Sequence, residues 1–272
     1  MDFRLQKRVQ RYGWDRSAAH YERSWSAQLE PAQRLLLAMA ALEPGEAVLD
    51  IACGTGLVSF PAAEAVGPTG SLVGTDISDT MVAMCRTRAE EHSPENMRFD
   101  RMEAESLRFE DGSFDVVLCA LGLMYVTDFP GAVGEMYRVT RSGGRAISAV
   151  WGRRDRCGWA EIFPIVDRRV NTDVCPLFFQ LGTGNVQEDL FRAAGFAEAR
   201  TERIETLLEY ENGEHACAAA FAGGPVAMAY ARFDEATRER AHTEYLESIA
   251  SFRNGRGYRI PGEFVVTLGE RT

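Results

Sequence analysis

Lysine is nearly missing from this sequence: of its 30 basic residues, Lys7 alone is not an arginine. Those 30 stand against 40 acidic residues, a net charge of -10. No global basic field therefore attracts a phosphate backbone, and nucleic acid is not the expected partner. Long apolar runs are missing too. The longest, Leu35 to Leu42, falls far short of the roughly 18 residues that span a bilayer, and Met1-Asp2-Phe3-Arg4 opens no signal-peptide core. A soluble, cytoplasmic protein without membrane insertion is expected. The six cysteines (Cys53, Cys85, Cys119, Cys157, Cys175, Cys217) stand at least 18 residues apart. With no CxxC knuckle among them, they read as reduced, mostly buried thiols, with no structural metal and no disulfide framework.

What is present suits a folded α/β protein. The chain has 272 residues, 46% apolar and 26% charged, enough for one buried core with an appended cap. From Ala47 short apolar runs alternate with helical stretches. Extended segments are expected at Ala47 to Ile51, Ser71 to Thr75, Met97 to Phe99 and Phe114 to Ala120, with helices after Leu57 and from Ser78 to about Glu91. That βαβ rhythm implies a parallel sheet covered by helices on both faces. A helix from Asp128 to Thr140 is expected to stop at Ser142-Gly143-Gly144, with Arg145 to Trp151 as the fifth strand. A helix from about Asn185 to Ala194 ends at Gly195. Ala199 to Tyr210 and Tyr258 to Leu268 then read as two late strands pairing antiparallel at one edge.

Three segments break the rhythm: residues 1–45, about 152–183 and about 212–255. They divide the chain into an N-terminal helical lid (1–45), a core (46–151) and the rest of the sheet with its cap insertions (152–272). They are rich in aromatics, among them Trp14, Tyr21, Trp25, Trp159 and Phe178. Ligands of α/β sheets bind beyond the carboxyl ends of the strands, where such insertions close over them. The same rings can equally fill the cap's own core.

The most informative stretch is Val48-Leu49-Asp50-Ile51-Ala52-Cys53-Gly54-Thr55-Gly56, a buried strand entering a glycine turn and then a helix. Gly54 and Gly56 let backbone approach a ligand, and the helix start offers free N–H groups. Twenty residues after Gly56, at the end of the next strand, Asp76 is placed to take both hydroxyls of a ribose. Together these features point to a nucleoside. A dinucleotide fingerprint wants a third glycine where Ser59 stands, and no Lys-Ser/Thr follows Gly54 as a P-loop requires. Pyrophosphate recognition is therefore poorly supported.

At these residues the chain resembles the class I S-adenosylmethionine-dependent methyltransferases, especially the ubiquinone/menaquinone-biosynthesis type and its small-molecule relatives. Four segments carry the likeness, over about Leu42 to Trp151. Asp50 to Gly56 resembles the glycine-rich motif around the methionine part of the cofactor, which implicates Asp50, Ala52, Gly54 and Gly56. Asp76-Ile77-Ser78 with Met81 resembles the ribose-binding acid and an apolar residue against adenine. Met102-Glu103-Ala104-Glu105 resembles the segment whose acid receives the adenine amino group, with Glu103 at that position beside Ala104. Ser113 to Leu123 resembles the fourth strand and the loop after it, where Ala120 meets cofactor and Leu121 meets substrate. Two departures stand out: Met102 replaces the usual glycine, and Met124-Tyr125 stands where many relatives carry a histidine. The resemblance implies a Rossmann-like, seven-stranded, mostly parallel sheet with an antiparallel edge strand.

It also implies methyl transfer from S-adenosyl-L-methionine, with S-adenosyl-L-homocysteine as product, to an O, N, C or S atom of a small aromatic or apolar metabolite. A sulfonium methyl is already activated, so positioning and exclusion of water do most of the work. Aromatic faces suit a sulfonium. Tyr21, with His20 beside it, is the candidate catalytic group on the lid, and Trp14, Trp25, Leu121, Tyr125 and Trp151 are candidates for substrate contact. No spacing pairs His20, His92, His215 or His242 with an orienting carboxylate, and surface or packing roles fit each of them. Arg153, Arg154, Arg156, Arg253 and Arg256 offer bidentate contacts to an acidic acceptor or form a solvated face. An NAD(P)-dependent oxidoreductase and a non-catalytic S-adenosylmethionine-binding partner or sensor remain alternatives. A homodimer is compatible with all of them.

Overall fold

In the computed structural model, residues 3–92, 96–170 and 177–272 are described. Cys175 and the side chain of His92 lie outside them. The chain opens with one helix, α1 (Phe3–Ala40), which carries Pro31 inside it. Its buried face is the stripe Ala18, Trp25, Leu29, Ala32, Leu36 and Met39, at the three- and four-residue spacing of one helix side. That stripe packs against the sheet, and burying each of its large side chains contributes about 1.5–3 kcal/mol. The proline removes one backbone donor, and the helix continues through it.

Then follow β1 (Ala47–Ile51), α2 (Ser59–Val66), β2 (Ser71–Asp76), α3 (Asp79–His92), β3 (Met97–Arg101), β4 (Phe114–Ala120), α4 (Phe129–Val139) and β5 (Thr140–Trp151). The second half holds α5 (Ile162–Val170), α6 (Val186–Ala194), β6 (Glu198–Tyr210), α7 (Gly213–Cys217), α8 (Ala227–Tyr230), α9 (Glu235–Ser248), the two-residue β7 (Arg253–Asn254) and β8 (Gly257–Glu270). The strand order is β3-β2-β1-β4-β5-β8-β6, with β7 hairpinned onto β8. Pairs from β3 through β5 are parallel. β8 runs antiparallel to both β5 and β6, so the reversed direction enters one place in from the outer strand and β6 points back with the majority.

The expected rhythm holds through the first half, with one correction. Ser142-Gly143-Gly144 does not form a loop between helix and strand. α4 stops at Val139, the next residue Thr140 is already extended, and β5 runs through all three. Phe114 pairs with Thr140 but Val116 with Arg145, so β5 bulges against β4 there and Gly143 adopts φ 77°. The bulge absorbs the residues that sequence patterning assigns to a turn. At the other end of α4, Asp128 caps the helix, accepting from the Gly131 N–H at 2.9 Å.

Candidate active site

The strand order reverses between β1 and β4, the place where open α/β sheets form a ligand crevice. Five neighbouring strands end there and deliver Ala52, Asp76, Met102, Ala120 and Trp151 to one cavity. α1 lies across it, bringing Lys7, Trp14, Tyr21, Trp25 and Leu29. Counted out to its mouth and including open solvent, the space between these residues is about 1020 Å³.

The cofactor side is built around the glycine turn. Gly54, at φ 55°, takes the left-handed backbone that glycine accepts at least cost. Ala52 and Leu121 adopt similar angles, φ 55° and 63°, at the ends of β1 and β4, so two residues with side chains carry backbone strain where the cavity begins. The Asp76 carboxylate accepts from the Gly54 N–H at 2.9 Å and from the Ser78 N–H at 2.8 Å. One bond falls on each oxygen, and each oxygen retains acceptor capacity toward the cavity. Asp50 lies beneath the turn: one oxygen accepts from the Ser59 hydroxyl at 2.5 Å, and the other has no partner among the described residues.

Burial pushes Asp50 up to about 7, against the Ser59 hydrogen bond and with the charge of Asp76 adding to the rise. Burial also lifts Asp76 to about 6, against the backbone bonds from Ser78 and Gly54. Two carboxyls held in low dielectric favour a cationic ligand that restores their ionised forms. Burial raises the Tyr21 hydroxyl as well, Asp76 adding to the effect. Its ring lies over Gly54.

The other side is aromatic. Ring contacts run from Tyr21 to Trp14 (5.8 Å between centroids), Trp14 to Tyr125 (4.9 Å), Tyr125 to Phe178 (5.4 Å), Phe178 to Trp159 (5.7 Å) and Trp159 to Trp151 (4.8 Å). Trp25 packs edge-on against Trp151 and Trp159. The Gly223-Gly224-Pro225 turn closes this end.

Most residues singled out from sequence meet here. Ala52, Gly54, Asp76, Ile77, Met81, Ala104 and Ala120 line the cavity, as do Tyr21, Trp14, Trp25, Leu121, Tyr125 and Trp151. Four do not. His20 sits on the solvent face of α1, 3.2 Å from Arg23, because one residue of helix turns it about 100° from Tyr21. Asp50 supports the turn from below. Gly56 serves packing, since a Cβ there would stand 2.5 Å from Phe60. The Glu103 carboxylate turns to the Lys7 ammonium at 2.8 Å, while its neighbour Glu105 faces the cavity.

His215 and His242 belong to the late insertion, His242 bonded to the Tyr230 hydroxyl at 2.9 Å. Arg153, Arg154 and Arg156 pair on the surface with Asp155, Glu161 and Glu205. Sequence reasoning missed Lys7 and the Gly223-Gly224-Pro225 turn. A solitary lysine four residues before Arg11, and a Gly-Gly-Pro breaker inside an insertion, were the available signals.

Among the described residues no helix is long and apolar enough to cross a membrane. Compared with known proteins, residues 48–144 match the family described as a methyltransferase domain. The chain is 38% identical over 103 residues to a demethylmenaquinone methyltransferase of Lactococcus lactis, covering 38% of this chain and 41% of that one. It is 40% identical over 116 residues to a ubiquinone/menaquinone biosynthesis C-methyltransferase of Ectopseudomonas mendocina, covering 42% and 45%. The chain thus spans under half the length of these curated relatives. Among solved structures, the YcgJ protein of Bacillus subtilis superposes with TM-score 0.62 at 20% identity, over 89% of this chain and 99% of that one. A putative methyltransferase of Bacillus halodurans gives 0.59 at 20%, over 88% and 99%. At such identity the likeness is one of fold. Residues 48–144 thus match a methyltransferase domain.

Proposed function

We propose that this chain transfers a methyl group from S-adenosyl-L-methionine to an O, N, C or S atom of a small aromatic or apolar metabolite. The observation that carries the reading is one cavity with two unlike halves: a buried carboxylate under a glycine turn, and a belt of aromatic rings. In this reading residues 1–45 form the lid, 46–151 bind the cofactor, and the insertions at 152–183 and 212–255 close the acceptor side. Five free, buried cysteines among the described residues fit a cytoplasmic setting, and the enclosed cavity with an acidic chain fits a small-molecule acceptor better than nucleic acid.

The residues present fit the cofactor. Asp76 keeps acceptor capacity on both oxygens for a ribose diol. Ile77, Met81 and Ala104 offer apolar surface to a purine, and the orphaned oxygen of buried Asp50 adds negative potential beneath the methionine end. When bound, S-adenosylmethionine supplies a methyl already activated on a positively charged sulfur. Tyr21 and Trp14 turn aromatic faces and edges toward the junction of the two halves, where rings stabilise a cation. The belt then holds a flat acceptor in line and excludes water, so that positioning supplies most of the acceleration. Tyr21, whose ring lies over Gly54 at this junction, is assigned the catalytic contact.

Calorimetric titration with S-adenosylmethionine, S-adenosylhomocysteine and NAD, run in parallel, tests the reading. Micromolar binding of both sulfur nucleosides without NAD is expected. Binding of NAD alone overturns it, and tight sulfur-nucleoside binding with no methyl transfer across an aromatic acceptor panel reassigns the chain as a binding partner or sensor.

A further inference from the structure

Two polar atoms of the aromatic belt are left without partners. The indole nitrogens of Trp25 and Trp159 are both buried and, among the described residues, neither has a hydrogen-bond acceptor. The residues themselves are 6% and 3% exposed, and both line the cavity. An indole N–H is a donor only, and a buried donor left unpaired is costly enough that native proteins rarely keep one without a reason. Here two such donors belong to rings packed 6.1 Å apart in the lining of one cavity.

Their surroundings explain why nothing satisfies them. Trp25 comes from α1, with its nitrogen against Gly223. Trp159 follows β5 and is ringed by Trp151, Phe163, Phe178 and Phe179. The rings pack on one another, and neither N–H finds an acceptor among the described residues. A flat ligand that parts these rings exposes the donors to its own edge.

We propose that Trp25 and Trp159 are specificity residues of the acceptor site, and that their indole N–H groups donate to an in-plane carbonyl oxygen of a neutral, flat aromatic acceptor. The proposal rests on the methyltransferase reading of the same cavity and adds the chemistry of its second ligand. Tryptophan, phenylalanine and tyrosine rings sort ligands by flatness. The two donors sort flat ligands by where an oxygen lies, because an analogue lacking it leaves both donors buried and unpaired. Trp151, in the same belt, is not among the unpartnered donors and carries shape alone.

The test uses the full-length protein with chromone, a flat ring ketone, and naphthalene, its oxygen-free counterpart of similar size, titrated in the presence of saturating S-adenosylhomocysteine. Chromone is expected to bind about tenfold or more tighter than naphthalene, as two neutral hydrogen bonds imply. In a proton–nitrogen spectrum of the unaltered protein, two of its four indole N–H resonances are expected to move downfield with chromone and not with naphthalene. Trp25→Phe and Trp159→Phe, which keep a ring and remove the donor, are each expected to lower the chromone-to-naphthalene preference about three- to tenfold. Equal affinities, or indole resonances that respond alike to both probes, overturn the proposal, and both results come from the unaltered protein. Calorimetry of S-adenosylhomocysteine alone separates the two layers: its failure to bind removes the methyltransferase reading, whereas its binding with silent indoles removes only this assignment.

Discussion

The Lys7 ammonium, on the lid, lies 2.8 Å from the Glu103 carboxylate, 96 positions later in the chain, and 3.5 Å from Glu105. It heads a polar stripe on α1. Arg11 pairs with Asp79, Asp15 accepts from the Ser78 hydroxyl at 2.6 Å and the Thr80 N–H at 3.1 Å, and Glu22 meets Arg88 at 3.1 Å. Positions 7, 11, 15 and 22 share one helix side, so α1 is held along the cavity rim by charge and packed onto the sheet by its apolar stripe.

That latch makes release of the nucleoside sensitive to salt. Lys7 and Glu103 are both about one-third exposed, and such a pair is worth about 0.2–1 kcal/mol at low ionic strength. Lys7→Gln is expected to speed S-adenosylhomocysteine dissociation about two- to fivefold at low salt, and the difference should vanish near 1 M salt, where the Debye length is about 3 Å. Stopped-flow fluorescence of the belt tryptophans reads both rates. Identical rates at low salt would show that the apolar stripe alone holds the lid.

In the proposed function Asp76 supplies the contact on which nucleoside affinity depends most. Asp76→Ala is expected to weaken S-adenosylmethionine binding by about 1.5–3 kcal/mol, roughly ten- to a hundredfold in Kd, the worth of hydrogen bonds to a charged acceptor. Calorimetry on the variant decides it. Unchanged affinity would mean that the carboxylate serves only the Gly54 and Ser78 N–H groups.

The two raised carboxyls set opposite pH trends for the free and the bound protein. Asp50 titrates near 7 and Asp76 near 6 in the fold, against about 3.9 in an unfolded chain. Over that window the folded state binds more protons than the unfolded one, so stability falls as pH rises from about 4 to 7 and levels off above. A cationic ligand favours both ionised forms, so its affinity should rise across the same interval, with protons released on binding. Urea midpoints of the free protein at pH 5 and 8, beside calorimetry in buffers of different ionisation enthalpy, check both signs. An affinity that falls with pH would contradict the electrostatic role given to the pair.

How much of this was legible follows from the range of the interactions involved. Asp76 and Gly54 were readable because strand, turn and helix follow one another and their spacing is local. The start of β5 was not, because the bulge opposite Asp115 depends on how β4 pairs, and a Ser-Gly-Gly tract reads locally as a stop. His20 and Tyr21 are adjacent in sequence, and only the packing of α1 decides which faces the cavity. Glu103 matches the position of the adenine acid in related enzymes, yet a lysine on a distant helix takes its carboxylate. The Trp25 and Trp159 donors were invisible for a related reason, since a missing partner is a property of the assembled belt.

Two glycines in the same half of the fold separate steric from backbone constraint. Gly122 has φ -94°, which any residue tolerates, but an added Cβ would stand 2.4 Å from the Ala52 Cβ and 3.0 Å from the Cys119 sulfur. Gly143 is the reverse case: φ 77° with nothing within 4 Å of an added Cβ. Gly122→Ala therefore pushes apart the ends of β1 and β4, at a cost of about 1–3 kcal/mol for overpacking. Gly143→Ala forces a side chain into left-handed backbone on the surface, at about 1–2 kcal/mol. The decisive difference lies in the site, because Ala52 and Gly122 line the cavity and Gly143 does not. Both variants should lower the urea midpoint, but only Gly122→Ala should also weaken S-adenosylhomocysteine binding. Equal loss of affinity in the two would mean that nucleoside binding follows global stability and not the local fit of these two strand ends.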